Sequence, residues 1–282
     1  MIMKKILIAT DFSVAAQNAT DYGVRLAQAV GATVILASAF EEVPVPVTDT
    51  PLIAVPEDLR GLVQRQLELE ADSFPRERAV SVEVLPCEGP ASTAILGAAR
   101  SMNAELIIAG MKGSGKSLRK IFGSTVTGLA RRTSIPLLII PEGVSFAPLK
   151  AIAMASDVAH ETDYGIPVAV RRLADQFHSK IFVIRLFNKQ AGEVIEILHQ
   201  SANLNRTIGA FAPLCEIPAD ATVAEALKDY IAASPIDLLV MKPHPKTLPE
   251  RWFLRSNTRQ MIFQTDVPLL ILPGEPHKNE VL

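Results

Sequence analysis

The stretch Glu105–Pro141, E-L-I-I-A-G-M-K-G-S-G-K-S-L-R-K-I-F-G-S-T-V-T-G-L-A-R-R-T-S-I-P-L-L-I-I-P, decides how the chain folds. It opens with an apolar run, Leu106–Ala109, of the length of a buried strand. A glycine-rich, basic loop follows. Gly123-Ser124-Thr125 then starts a segment with Val126, Leu129 and Ala130 at helical spacing. A second apolar run, Ile135–Ile140, stops at Pro141. Strand, glycine loop and helix start is the layout that turns backbone N–H groups toward a phosphate.

Two phosphate patterns overlap in this loop. Gly110, Gly115, Lys116 and Ser117 satisfy G-x-x-x-x-G-K-[ST], the P-loop pattern, which serves Mg²⁺ and phosphoryl transfer. Gly110, Gly113, Gly123 and Ser124 satisfy glycine, two residues, glycine, nine residues, glycine, Ser or Thr, which needs only close backbone approach and a hydroxyl at a helix N-terminus. The second pattern is preferred. The better helix start stands at residue 123 rather than at Lys116, and the strand that follows ends at the breaker Pro141-Glu142 instead of at an aspartate for Mg²⁺. Tight turning alone is a weaker account of three glycines, a hydroxyl and the cations Lys112, Lys116, Arg119 and Lys120 in one loop.

Upstream, Ile6–Ala9 reads as a buried strand ending at Thr10-Asp11, and ligands of doubly wound sheets bind beyond such ends. Ser13 is the expected N-cap of a helix over Val14–Val30, which Gly31 ends. Thr33–Ala39 is the next strand. Residues 41–56, with Pro44, Pro46, Pro51 and Pro56, form a stiff connection or a lid. A helix over Glu57–Phe74, a strand over Ala79–Leu85 and a helix over Ala91–Ser101 complete the alternation of strand and helix. That alternation specifies an open parallel sheet with helices on both faces.

The second half repeats the first. Asp237–Pro273 aligns with Glu105–Pro141 without a gap, pairing Ser124 with Ser256 and Pro136-Leu137-Leu138-Ile139 with Pro268-Leu269-Leu270-Ile271. Cys87-Glu88 matches Cys215-Glu216, and Lys150–Asp157 lines up with Lys4–Asp11. Gly110, Gly113 and Gly123, however, become Lys242, Pro245 and Arg255. Proline removes a donor and arginine fills the space a glycine leaves, so the rear copy keeps the fold pattern without the phosphate cradle. The expected domains are 1–145 and 149–282, joined near Ser145–Leu149.

The 282 residues suit two domains, and 49% hydrophobic against 5% aromatic residues suits buried parallel strands. A formal net charge of −2 gives no overall attraction to nucleic acid or anionic membrane. Two cysteines without C-x-x-C spacing argue for a reducing compartment, and the five histidines lack metal-site spacing. No apolar run reaches the length of a membrane span, and the start does not read as a signal peptide, so a cytoplasmic location is expected.

On these residues the whole chain resembles a tandem universal stress protein. The resemblance implies two Rossmann-like domains of the adenine nucleotide alpha hydrolase-like type, each a five-stranded parallel sheet with helices on both faces. It implies ATP, with or without Mg²⁺, in the first domain only. Carried over by position, Thr10, Asp11 and Ala39 would hold the adenosine side, Ala109 and Gly110 would lie beside ribose and adenine, and Lys112, Gly113, Gly123, Ser124 and Thr125 would contact the phosphates. No catalytic or metal-ligating residue is expected, and at most slow ATP hydrolysis. The resemblance also implies pairing of the two final strands within the chain and is compatible with a homodimer of it. The competing readings are a scaffold or small-ligand protein with a rear pocket rimmed by Asp157, Lys242, His244 and Arg255, and a P-loop ATPase using Lys116 and Ser117.

Overall fold

A computed structural model of the chain describes residues 3–41, 58–74, 80–112, 124–156, 166–187, 214–216, 233, 235–241 and 267–273. The front half runs β1 (Lys5–Ala9), α1 (Val14–Val30), β2 (Thr33–Phe40), α2 (Leu59–Asp72), β3 (Val82–Glu88), α3 (Ala91–Ser101), β4 (Leu106–Met111), α4 (Ser124–Arg132) and β5 (Leu137–Pro141). The rear half contributes β6 (Ala151–Ser156), α5 (Val168–Phe177), β7 (Lys180–Phe187), β8 (Leu214–Glu216), β9 (Leu238–Met241) and β10 (Leu269–Ile271). The proline-bearing connection over 41–56 lies almost wholly outside the described residues.

The strands form one continuous sheet in the order β3-β2-β1-β4-β5-β10-β9-β6-β7-β8. All neighbouring pairs are parallel except β5 with β10, where Leu137, Leu138 and Ile139 face Ile271, Leu270 and Leu269 in antiparallel register. The two apolar runs that end the halves therefore meet, and they do so inside a single sheet.

Side chains alternate between two cores, as the two-residue period of a strand requires. On one face Leu7, Ile35, Ile107 and Ile139 pack with Ile95 and Leu96 of α3 and Val126 and Leu129 of α4. On the other, Ile6, Ile8, Leu36 and Ile108 pack with Tyr22 and Leu26 of α1, Leu67 of α2 and Leu173 and Phe177 of α5. Strands covered on both faces explain why their sequences are continuous apolar runs.

Helix α1 has the expected bounds. Ser13 caps it by accepting the Ala16 N–H at 3.3 Å, and Gly31 at φ 70° ends it in the left-handed region. Strand β3 lies three residues later than expected from Ala79–Leu85 and passes through Pro86. An edge strand tolerates proline because one of its sides has no ladder to donate to, and among the described residues β3 pairs only with β2. Strand β5 begins after Pro136 rather than at Ile135.

The junction between the halves is packed. Leu149 is buried, and Phe146 stacks edge-on against Tyr22 at 5.3 Å and at a tilt against Phe177 at 6.1 Å. Gln176 of α5 donates to the Ala29 carbonyl at 2.8 Å, and Arg172 donates to Glu105 at 2.9 Å. Glu105 also accepts the Lys4 backbone N–H. Burial alone would raise the Glu105 carboxyl, but the Lys4 amide and the Arg172 guanidinium outweigh it and hold the group below its ordinary 4.5. A carboxylate with a lowered folded-state value stabilises the fold above its ordinary value, and the contribution is lost as pH falls through the lower one. Arg172→Ala is expected to lower stability at pH 7 by about 1–2 kcal/mol in urea unfolding, a charge-assisted bond at a half-buried site. That deficit should shrink as pH drops below 4.5; a deficit independent of pH would mean that packing alone was lost.

Candidate functional site

The parallel strands of the front half leave their carboxyl ends on one side, where β1 and β4 are neighbours and the chain turns in opposite directions from them. A cleft of about 650 Å³ opens there. Its wall is the first turn of α1, its floor the ends of β1, β2 and β4, and its far side α3 and the start of α4.

Thr10, directly after β1, is buried, and its N–H donates to Ala37 O at 2.9 Å. Its hydroxyl accepts the Phe12 N–H at 3.1 Å and donates to Glu70 Oε2 at 3.3 Å. Asp11 is exposed, and one carboxylate oxygen accepts the Ser13 N–H at 3.1 Å, leaving acceptor capacity for a ligand. Phe12 between them has φ 61°, the left-handed region that a bulky residue seldom adopts.

Of the residues singled out by sequence, Thr10, Asp11, Ala39, Ala109, Gly110, Lys112 and Thr125 all line this cleft. Ser124 is exposed at the first position of α4, one residue from the lining. Gly113 and Gly123 lie outside the described residues, as do Lys116 and Ser117 of the P-loop pattern and Asp157, Lys242, His244 and Arg255 of the rear copy. Among the described residues no group of three or more His, Cys, Asp and Glu is arranged to hold a metal ion, and no helix is long and apolar enough to cross a membrane.

Gly110 acquires a reason the sequence did not suggest. A Cβ there would stand 2.3 Å from the Ala15 carbonyl oxygen and 2.9 Å from Ala16 N. The first turn of α1 lies directly on β4, so Gly110 is required by helix-on-strand contact whether or not a ligand approaches it.

The cleft also contains residues that the sequence reading missed. Ser13, Val14, Ala15 and Ala16 belong to the α1 turn, and Ala91, Ile95 and Val126 add apolar surface. Glu142 lies one residue past β5, held there by its N–H donating to Met111 O at 2.9 Å and by Asn18 bonding the Pro141 and Val144 carbonyls. Its position just beyond a strand end was the available signal. Glu70 stands behind Thr10 on α2; burial raises its carboxyl above the ordinary 4.5 and Asp11 adds to this, while the nearby Thr20 and Thr10 hydroxyls oppose it.

Residues 3–141 match the model of the universal stress protein family. The front half of the chain is a universal stress protein domain. Solved structures extend the likeness of fold beyond it. A universal stress protein from Archaeoglobus fulgidus DSM 4304 is similar with a TM-score of 0.71 at 14% identity, over 95% of this chain and 97% of its own. A putative universal stress protein from Pseudomonas aeruginosa UCBPP-PA14 has a TM-score of 0.63 at 14% identity, over 96% and 93%. A functionally unknown protein from Pseudomonas aeruginosa PAO1 has 0.60 at 15% identity, over 96% and 92%. At these identities the fold alone is shared. No curated protein is significantly similar in sequence.

Two outcomes are expected of the universal stress protein domain. Gly110→Ala should cost about 1–3 kcal/mol in denaturant unfolding, as backbone on backbone has little room to move. An unchanged midpoint would mean that α1 does not rest on β4. For Glu70, a raised folded-state value means that the native state holds the proton more tightly, so stability falls as pH rises from 4.5 toward that value. Glu70→Gln should therefore be more stable than the wild type at pH 7, with the gain vanishing at pH 4 and below; equal pH profiles would contradict the assignment.

Proposed function

We propose that the protein is an adenine-nucleotide-binding regulator of the stress-response type, holding ATP in the cleft of residues 1–145. The observation that carries this reading is the convergence of Thr10, Asp11, Ala39, Ala109, Gly110, Lys112 and Thr125 on one cleft from four separate elements. Small apolar residues (Ala39, Ala109, Ile95 and Val126) suit the flat faces of an adenine ring. Asp11, acceptor-only when ionised, suits ribose hydroxyls or the adenine amine. Lys112 and the N–H groups at the start of α4, beside Ser124 and Thr125, suit phosphates. Gly113 and Gly123 complete the cradle in this reading, and Mg²⁺ would accompany the phosphates.

The chain is read as two Rossmann-like domains, 1–145 and 149–282, each of five strands. The recurrence of strand order supports this, since β3-β2-β1-β4-β5 corresponds to β8-β7-β6-β9-β10. The rear domain, with Lys242, Pro245 and Arg255 in place of the glycines, is structural or partner-binding. Such a protein acts in the cytoplasm as a binding module rather than as a fast enzyme.

Calorimetric titration with ATP should give one site per chain. Asp11→Ala should weaken it about tenfold, the scale of a lost hydrogen bond to a charged group, and Gly123→Arg should abolish it. Two equivalent sites, or none, would reject the reading. Sustained ATP turnover lost in Lys116→Ala and Ser117→Ala but kept in Gly123→Arg would establish the P-loop alternative instead.

A further inference from the structure

The nucleotide reading makes no use of Glu70, yet this carboxyl reaches from α2 to the exit of β1. Its Oε2 accepts the Thr10 hydroxyl at 3.3 Å, across 60 residues of sequence. Its Oε1 is buried without a hydrogen-bond partner among the described residues. An unsatisfied buried carboxyl oxygen lowers stability, so local stability does not account for a glutamate here.

What the carboxyl touches does account for it. A hydroxyl has one proton and two lone pairs. Donation to Glu70 turns the Thr10 hydroxyl proton away from the turn and leaves a lone pair facing the Phe12 N–H at 3.1 Å. That bond closes the turn over Thr10, Asp11 and Phe12 from inside, while Gln17 holds the Phe12 carbonyl from outside at 3.2 Å. Phe12 sits at φ 61°, a conformation that persists in a bulky residue only where its surroundings impose it. Asp11 lies at the middle of this turn, and its carboxylate direction is set by the Ser13 N–H.

We propose that Glu70 is a positioning residue of the cleft: by accepting the Thr10 hydroxyl it holds the Thr10–Asp11–Phe12 turn in the shape that aims Asp11 at the ligand. Glu70 lies on α2, outside the cleft lining, and reaches the turn through the Thr10 hydroxyl. The inference rests on the nucleotide reading for the identity of the ligand, but the turn itself can be observed without one.

Two measurements on the full chain test it: amide hydrogen exchange at Phe12 without nucleotide, and ATP titration. Glu70→Ala should speed Phe12 exchange and weaken ATP binding, each about tenfold, the scale of one hydrogen bond. Glu70→Gln, whose amide oxygen still accepts the hydroxyl, should stay near the wild type in both. Thr10→Val, which removes the relay from its other end while keeping the shape, should speed Phe12 exchange as Glu70→Ala does, and it decides the matter if Glu70→Ala does not fold. Wild-type exchange in Glu70→Ala or in Thr10→Val overturns the proposal, and so does a Glu70→Gln protein that behaves as Glu70→Ala. If Phe12 responds as expected while the wild type binds no ATP, the relay stands and the nucleotide reading falls.

Discussion

The antiparallel contact between β5 and β10 is the constraint on which the rest of the fold depends. Each of these strands ends its half, and each without the other would present a row of unpaired backbone groups flanked by fully buried Leu and Ile side chains. Pairing satisfies both edges and carries the two apolar cores straight through the seam, so that Leu138 and Leu270 belong to one cluster and Ile139 and Leu269 to the other. The helices then reinforce what the strands begin. Tyr22 is buried against the rear half, where desolvation, with Asp237 adding to it, pushes its phenol well above the ordinary range. Arg172 of the rear half answers Glu105 of the front.

The same parallel winding places the cleft. Strands β2 and β3 lie to one side of β1, and β4 and β5 to the other, so the chain opens a crevice where β1 and β4 are neighbours. Gly110 lets the first turn of α1 settle on β4, which brings the α1 N-terminus and the Asp11 turn to the rim together. Thr10 links that rim to the layer beneath it, since its hydroxyl faces the turn on one side and Glu70 on the other. The universal stress protein domain thus borders its cleft with regular secondary structure and with the turn in which Phe12 has φ 61°.

Much of this was legible in the residues. The bounds of α1 and α3 and the apolar strand runs follow from period and punctuation. The errors have local causes. Strand β3 runs three residues beyond the alternation over Ala79–Leu85 and through Pro86, which its edge position makes acceptable. Gly110 was assigned to ligand approach because a glycine pattern does not say which neighbour needs the space. Glu142 was overlooked because a residue after a strand end acquires meaning only when the adjacent strand ends beside it.

By itself the sequence determined the front elements and their order, and it set Gly110, Gly113 and Gly123 against Lys242, Pro245 and Arg255 at the aligned positions later in the chain. These are local properties, carried by hydrophobic period, caps and residue volume within a few positions of each other. Only the tertiary structure decided the antiparallel register of Leu137–Ile139 against Leu269–Ile271, that Ala15 lies against Gly110, and that a carboxyl on α2 stands behind the turn bearing Asp11. Those contacts join residues far apart in the chain, and their geometry exists only after the cores have packed and the strand register is set.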